Sequence, residues 1–228
     1  MALYAIGDLH LSLNSNKSME VFGGGWENYT QRLRESLSQL HDDDTLILAG
    51  DTSWGMSLPE SAADFHFIDD LPGRKLILKG NHDYWWNTVS KMNAFFRQEG
   101  IHTIDFLHNN CHFYGDYALC GTRGWFYEEA QKAQDAKVLN RELMRLETSL
   151  RAAGEREKLV FLHYPPIYQG YRCPEILALL QKYGVKRCWY GHLHGPSHRL
   201  ASLGSWEEIE FSLIASDYLG FIPKKICE

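Results

Sequence analysis

Lys75 to Asp83 reads Lys-Leu-Ile-Leu-Lys-Gly-Asn-His-Asp, a short apolar run that stops on glycine and then presents three polar side chains. The same order recurs along the chain. Leu3 to Ile6 runs into Gly7-Asp8, Thr45 to Ala49 into Gly50-Asp51, Lys158 to Leu162 into His163, and Arg187 to Tyr190 into Gly191-His192. Continuous short runs without strict alternation fit strands covered on both faces.

Helical patterns lie between these runs. Asn28 to Leu40 sets Leu33, Leu37 and Leu40 at three- and four-residue spacing, giving one apolar face. Pro59 to Leu71 follows Ser57, a candidate cap, and Pro174 to Tyr183 closes at Gly184. Glu128 to Ala153 is the longest pattern; Ala133, Ala136, Leu139, Leu143, Leu146 and Leu150 form its stripe and Gly154 follows it. An ordinary core-facing helix is the first reading of that stripe; a lid or a homo-oligomer contact is the second. Strand alternating with helix predicts a layered α/β domain. Cys111 to Gly121 and Ile209 to Phe221 read as further strand, which makes the sheet mixed rather than purely parallel. No repeat or linker divides the chain, so residues 1–228 read as one domain. Leu13 to Trp26 is a long loop for a compact domain, and the expectation is that it shapes the mouth of a site.

Composition removes several classes of function. With 228 residues, 44% hydrophobic and 23% charged, the chain is long enough to build a core without disulfides, so a disordered protein is excluded. Lys and Arg number 23 against 29 Asp and Glu, a net charge of −6 that disfavours long nucleic acid as the partner. The five cysteines form no Cys-x-x-Cys pair, no apolar run reaches the length of a membrane span, and the N-terminus lacks a basic leader. A cytoplasmic protein with no membrane partner is the expectation.

In α/β sheets ligands gather outside the carboxyl ends of the strands. The strand ends here would bring together Asp8, His10, Asp51, Asn81, His163, His192 and His194. Carboxylate and neutral imidazole are donors for borderline divalent ions. Seven are too many for one tetrahedral ion and suit two ions sharing a carboxylate. The Asp-x-His and His-x-His spacings help, because residues i and i+2 of an extended segment point the same way. Two divalent ions, two aspartates and a hydroxide net about +1, a site for an anion.

Gly7-Asp8-x-His10, Gly50-Asp51, Gly80-Asn81-His82-Asp83, His163 and Gly191-His192-x-His194 together resemble, in order, the five motifs of the calcineurin-like metallophosphoesterases, here of the bacterial phosphohydrolase type. The resemblance implies a four-layer α-β-β-α sandwich with two mixed central sheets. It implies that Asp8, His10 and His194 hold one metal, that Asn81, His163 and His192 hold another, and that Asp51 bridges them. Manganese is the first expectation for both ions, with iron, zinc or cobalt as alternatives. The implied reaction is hydrolysis of a phosphomonoester or phosphodiester by a metal-bridging hydroxide, with His82 as the general acid and Asp83 orienting and favouring its protonated form.

The remaining histidines, His41, His66, His102, His108, His112 and His198, read as ordinary satisfied polar residues. Arg123, in Gly-Thr-Arg-Gly-Trp after a strand, reads equally as a clamp for substrate phosphate or as the partner of a surface carboxylate. Trp54, Tyr84, Trp85, Trp86, Trp125 and Tyr164 flank the motifs, as packing or as the lining of a pocket for a ring. A small phosphorylated substrate fits the pattern. Asp51 is followed by Thr52-Ser53-Trp54-Gly55, unlike the protein-phosphatase branch, which disfavours a phosphoprotein. The alternative is a non-catalytic scaffold on the same fold, which would be expected to have lost ligands or the catalytic histidine.

Overall fold

The computed structural model describes residues 1–15, 17–23, 25–125 and 133–228. Its first sheet is built from β1 (Leu3–Ile6), β2 (Thr45–Leu48), β3 (Arg74–Ile77) and β4 (Ile104–Phe106), which run parallel. Between them lie a 3-10 turn (Met19–Phe22), α1 (Tyr29–Leu37), α2 (Ala62–Asp69) and α3 (Val89–Glu99). A hairpin of β5 (Cys111–Tyr114) and β6 (Tyr117–Thr122) then opens the second sheet. It continues through α4 (Ala133–Ala152), β7 (Glu157–Leu162), the short pair β8 (Ile167–Tyr168) and β9 (Tyr171–Arg172), α5 (Pro174–Lys182) and β10 (Arg187–Tyr190). A second 3-10 turn (Gly195–Leu200), β11 (Gly204–Trp206) and β12 (Ile209–Leu213) complete that half. The last strand, β13 (Lys224–Cys227), returns to pair antiparallel with β1.

The strand orders are β13-β1-β2-β3-β4 and β11-β12-β10-β7-β6-β5; the first is parallel but for its β13 edge, and the second has a parallel centre with an antiparallel strand at each edge. Three apolar layers explain the stack. Leu3, Ala5, Ile47, Leu76 and Leu78 of one sheet meet Leu119, Leu159, Phe161 and Trp189 of the other. The outer face of the first sheet, with Ile6, Leu48 and Ile77, packs on Leu33 and Leu37 of α1, Phe65 and Ile68 of α2 and Met92 and Phe96 of α3. The outer face of the second, with Val160 and Leu162, packs on Leu146 and Leu150 of α4 and Ile176 and Leu180 of α5. The result is the expected α-β-β-α sandwich with two mixed sheets, and strands buried on both faces are what the unalternating runs require.

Several local expectations change. The helix expected from Pro59 begins at Ala62 behind a turn, and Ser57 caps that turn by accepting from the Glu60 N–H at 3.4 Å. α3 is an addition to the expected helices, although Thr88 caps it by accepting from the Lys91 N–H. The strand expected over Ile209 to Phe221 stops at Leu213, and a turn follows. The expected start of the longest helix, residues 128–132, lies outside the described residues; from Leu139 onward its stripe faces the core.

Candidate metal centre

The parallel strands of both sheets end at one edge, and their polar residues meet there. Asp8 and His10 follow β1, Asp51 follows β2, Asn81 follows β3, His163 follows β7, and His192 and His194 follow β10. Backbone conformation sets the donors at these ends. The φ angle is 60° at Asp8, 46° at His10, 50° at Asp51 and 73° at His192. Left-handed backbone costs a non-glycine residue roughly 1–3 kcal/mol and persists where its surroundings over-determine it. Here Asp8 N–H donates to the Gly50 carbonyl at 2.9 Å, His10 N–H to the Asp51 carbonyl at 2.9 Å and His192 N–H to the Asp8 carboxylate at 3.0 Å. The motif glycines are spacers between these ends. A Cβ on Gly50, whose φ is +87°, would lie 2.8 Å from both the Gly80 Cα and His163 Nδ1, and one on Gly191 would strike the Asp8 carboxylate.

Two overlapping groups of donors result. Asp8, His10 and His194 offer atoms within 4.8 Å of one another, and so do Asp8, Asp51 and His163. His10 Nε2 lies 3.3 Å from His194 Nε2, and His194 Nε2 lies 3.4 Å from Asp8 Oδ1. Asn81 Oδ1 sits 2.6 Å from His163 Nε2 and 3.0 Å from His192 Nδ1. The shared member of the two groups is Asp8, whereas the family resemblance makes Asp51 the bridge. Asp51 Oδ2 is nonetheless 3.7 Å from His10 Nε2 and 3.6 Å from His163 Nε2, so it faces both groups, while its Oδ1 accepts from the His82 N–H at 2.7 Å.

The donor chemistry fits divalent cations. Ligands about 2.1 Å from one ion stand roughly 3.0–3.4 Å apart, close to most of these separations. His163 Nδ1 lies 3.1 Å from the Ala49 carbonyl, which assigns its proton there and turns the bare Nε2 toward Asn81 Oδ1. Burial holds His163 and His192 down at about 3, so both are neutral, as ligands must be. Burial, then the neighbouring His194, also lowers His10 well below an ordinary imidazole. Asp51 moves the other way, raised by burial and by the nearby Asp83 and Asp8 carboxylates. Imidazoles that resist a proton beside a carboxylate that resists ionising form a site short of positive charge.

His194 differs from the other three. Burial would lower it, but Asp8 and then Asp217 outweigh that and push it up to about 10. Asp217 is absent from the set of residues expected at the site. It lies in the turn after β12, with Oδ1 2.9 Å from His194 Nδ1, Oδ2 accepting from the Gly195 N–H at 2.9 Å, and Oδ2 3.1 Å from His198 Nε2. His198 is thereby a second imidazole on Asp217, in keeping with its reading as a satisfied polar residue.

Asp83 departs from its expected role. Its buried carboxylate accepts from the N–H groups of Gly80 at 2.7 Å, Asp51 at 3.0 Å and Thr52 at 2.8 Å, and from Trp85 Nε1 at 3.0 Å. It ties the second motif to the third and does not hold the His82 ring. Burial lowers His82 even though Asp8 opposes it. The His82 Nδ1 is 3.3 Å from Tyr84 Oη, and its ring lies 4.6 Å from Trp54, which stacks on His10 at 4.9 Å and 23°. Arg123 pairs with a buried carboxylate rather than a surface one: its Nη2 is 3.5 Å from Glu142 Oε1. Its guanidinium also lies over the Trp125 ring at 5.1 Å. Trp85 is core packing, and Trp86 packs against that core.

Residues 1–196 match the profile of the calcineurin-like phosphoesterases. The chain belongs to that family. Among solved structures, the protein of unknown function AQ665 from Aquifex aeolicus is 15% identical to this phosphoesterase-family chain. It aligns over 98% of this chain and 95% of its own, with a TM-score of 0.52. A second solved structure, 10% identical, covers 92% of this chain and 88% of its own at a TM-score of 0.57. TT1561 of Thermus thermophilus, 13% identical, covers 84% and 81% at a TM-score of 0.47. The first two likenesses show a shared fold. No curated protein matches the chain. Among the described residues no helix is long and apolar enough to cross a membrane.

Proposed function

We propose that this member of the calcineurin-like family is a metal-dependent phosphoesterase that hydrolyses a small phosphomonoester or phosphodiester. One observation carries the reading: four imidazoles, Asn81 and two carboxylates, drawn from the ends of both sheets, converge at ligand-to-ligand spacing. Asp8, His10 and His194 would hold one divalent ion, and Asn81, His163 and His192 another, with Asp51 facing both. Manganese is the first choice for this mixed nitrogen and oxygen set, and iron, zinc and cobalt suit it too. Ions bound there supply Lewis acidity for phosphoryl oxygens and lower the pKa of water.

The chain's own groups do the rest. Asp8 and Asp51 balance cationic charge while leaving the site attractive to an anion. His82 is fixed through its backbone N–H on Asp51 Oδ1, and its Nδ1 is engaged by Tyr84 Oη, leaving Nε2 to donate a proton to the departing ester oxygen. Its lowered basicity makes its cation a stronger acid than a free imidazolium. Arg123, whose guanidinium is held by Glu142 and lies over the Trp125 ring, is kept in the proposal as a clamp for a substrate oxygen. A cytoplasmic setting belongs to the same proposal, on the cysteine pattern of the sequence. Nothing favours the non-catalytic scaffold, since all seven donors and His82 are retained.

The test is hydrolysis of 4-nitrophenyl phosphate and bis(4-nitrophenyl) phosphate by manganese-loaded protein, beside the Asn81→Ala and His192→Ala variants. Turnover of at least one ester, abolished in both variants with circular dichroism unchanged, is the expected result. Activity surviving either substitution would remove the second metal position from the reading.

A further inference from the structure

A cleft of about 500 Å³ opens against one side of the metal centre. Its polar end is His10, His82 and His194, and its walls include Met19, Trp26, Trp54 and Pro196. Asn81, His163 and His192 do not line it, so it lies on the side of the first donor group. Gly23 and Gly195 also border it, each with open space where a Cβ would stand.

The volume is that of a site for an organic ligand, larger than a phosphate alone requires. Apart from the three histidines, the nine lining residues carry no titratable side chain, although Lys17 Nζ stands 5.9 Å from the centroid of the Trp54 ring. Two of the walls are indoles. Aromatic walls add roughly 0.5–1.5 kcal/mol for a ring beyond the area it buries, an advantage an alkyl chain does not share. His82, the proposed acid, forms part of the lining, so a group held here has its ester oxygen beside the proton donor.

We infer that this cleft binds the leaving group of the substrate, and that this group is a planar ring system. The inference rests on the phosphoesterase reading above and narrows its substrate to aryl or nucleobase-bearing phosphate esters. The first donor group faces the phosphate while Met19, Trp26 and Trp54 enclose the ring.

The test is calorimetric binding of three non-hydrolysable phosphonates to the manganese-loaded protein: 1-naphthylmethyl-, n-octyl- and ethylphosphonate. The naphthyl compound should bind about tenfold more tightly than the ethyl one, and more tightly than the octyl one. Met19→Trp, which fills the cleft from a position remote in sequence from every donor, should reduce the naphthyl-to-ethyl ratio to about 1–2. Equal binding of all three by the unmodified protein overturns the inference, whatever that variant does. Tightest binding of the octyl compound overturns the planar ring. If the phosphonates discriminate as stated while no ester is hydrolysed, the cleft stands and the hydrolytic reading falls. If esters are hydrolysed and the phosphonates bind alike, the cleft assignment falls alone.

Discussion

Asp217 holds His194 from behind: with its proton on Nδ1 toward Asp217 Oδ1, the ring must present Nε2 to Asp8 and His10. Without an ion, the same carboxylates keep a proton on that ring, so metal binding at this position must displace it. Asp217→Asn keeps the size of the side chain and removes its charge. We expect manganese affinity, read by calorimetric titration, to fall about 10–100-fold while the far-ultraviolet spectrum is kept. Affinity equal to the parent would mean that Asp217 only anchors the turn. His82 is tested differently, because it touches no donor atom of the proposed set through its ring. His82→Ala should lower turnover of an aryl phosphate by roughly 10²–10⁴ with metal content retained, the size expected of a positioned acid. An unaltered rate would leave the imidazole as part of the cleft wall alone.

At the scale of elements, α2 ends on a buried cation. Lys75, the second residue of β3, is fully buried, and its Nζ donates to the carbonyls of Leu71 and Asp69 and to Thr103 Oγ1 at 3.0 Å. It therefore occupies the carbonyl end of α2, where a positive charge suits the helix dipole. Burial lowers the ammonium from 10.5 to about 8 despite the opposing pull of Asp69. Between those values the unfolded chain holds the proton and the folded chain does not, so this group's contribution is full above 10.5 and is lost as pH falls through about 8. Denaturant unfolding at pH 7.5, 9 and 10 should show stability of the parent rising relative to Lys75→Met across that window. At pH 7.5 the variant should be weaker by about 1–3 kcal/mol, because the carbonyls lose their donor. A constant difference at all three pH values would show that Lys75 does not titrate in the fold. The elements themselves were unequally legible. The site-bearing strands announced themselves as apolar runs, several ended by a glycine that the neighbouring motif forces to be small, as at Gly50 and Gly191, whereas short β4 and the edge strand β13 gave no such signal. α3 was hidden because only Met92 and Phe96 of its residues are buried, leaving little periodicity to read. Asp83 misled for a steric reason: adjacent residues point apart, so closeness to His82 in sequence turned its carboxylate inward to backbone N–H groups. Asp217 gave no signal, because its contact with His194 exists only once β12 and the following turn fold beside β10.

For the whole molecule, the candidate metal centre is a joint between two halves. Asp8, His10, Asp51 and Asn81 belong to the ends of the first sheet, and His163, His192 and His194 to the ends of the second. The sheets also meet through the apolar layer of Leu3, Ile47, Leu76, Phe161 and Trp189, so the fold has a core that does not depend on ions. Ions that bind only the folded chain add to that core by mass action. At one hundred times the dissociation constant each site contributes about 2.7 kcal/mol. A chain of this size moves roughly 2–4 °C in Tm per kcal/mol, so two filled sites should raise Tm by roughly 10–20 °C and one site by about half as much. Because the ions would pin both sheets, the rise should come as a single sharper transition, and a chelator should reverse it in full. Calorimetric scans with manganese and with excess chelator, alongside elemental analysis finding close to two ions per chain, make the check. Identical Tm values with an ion count near zero after reconstitution would mean that the strand ends meet for packing alone.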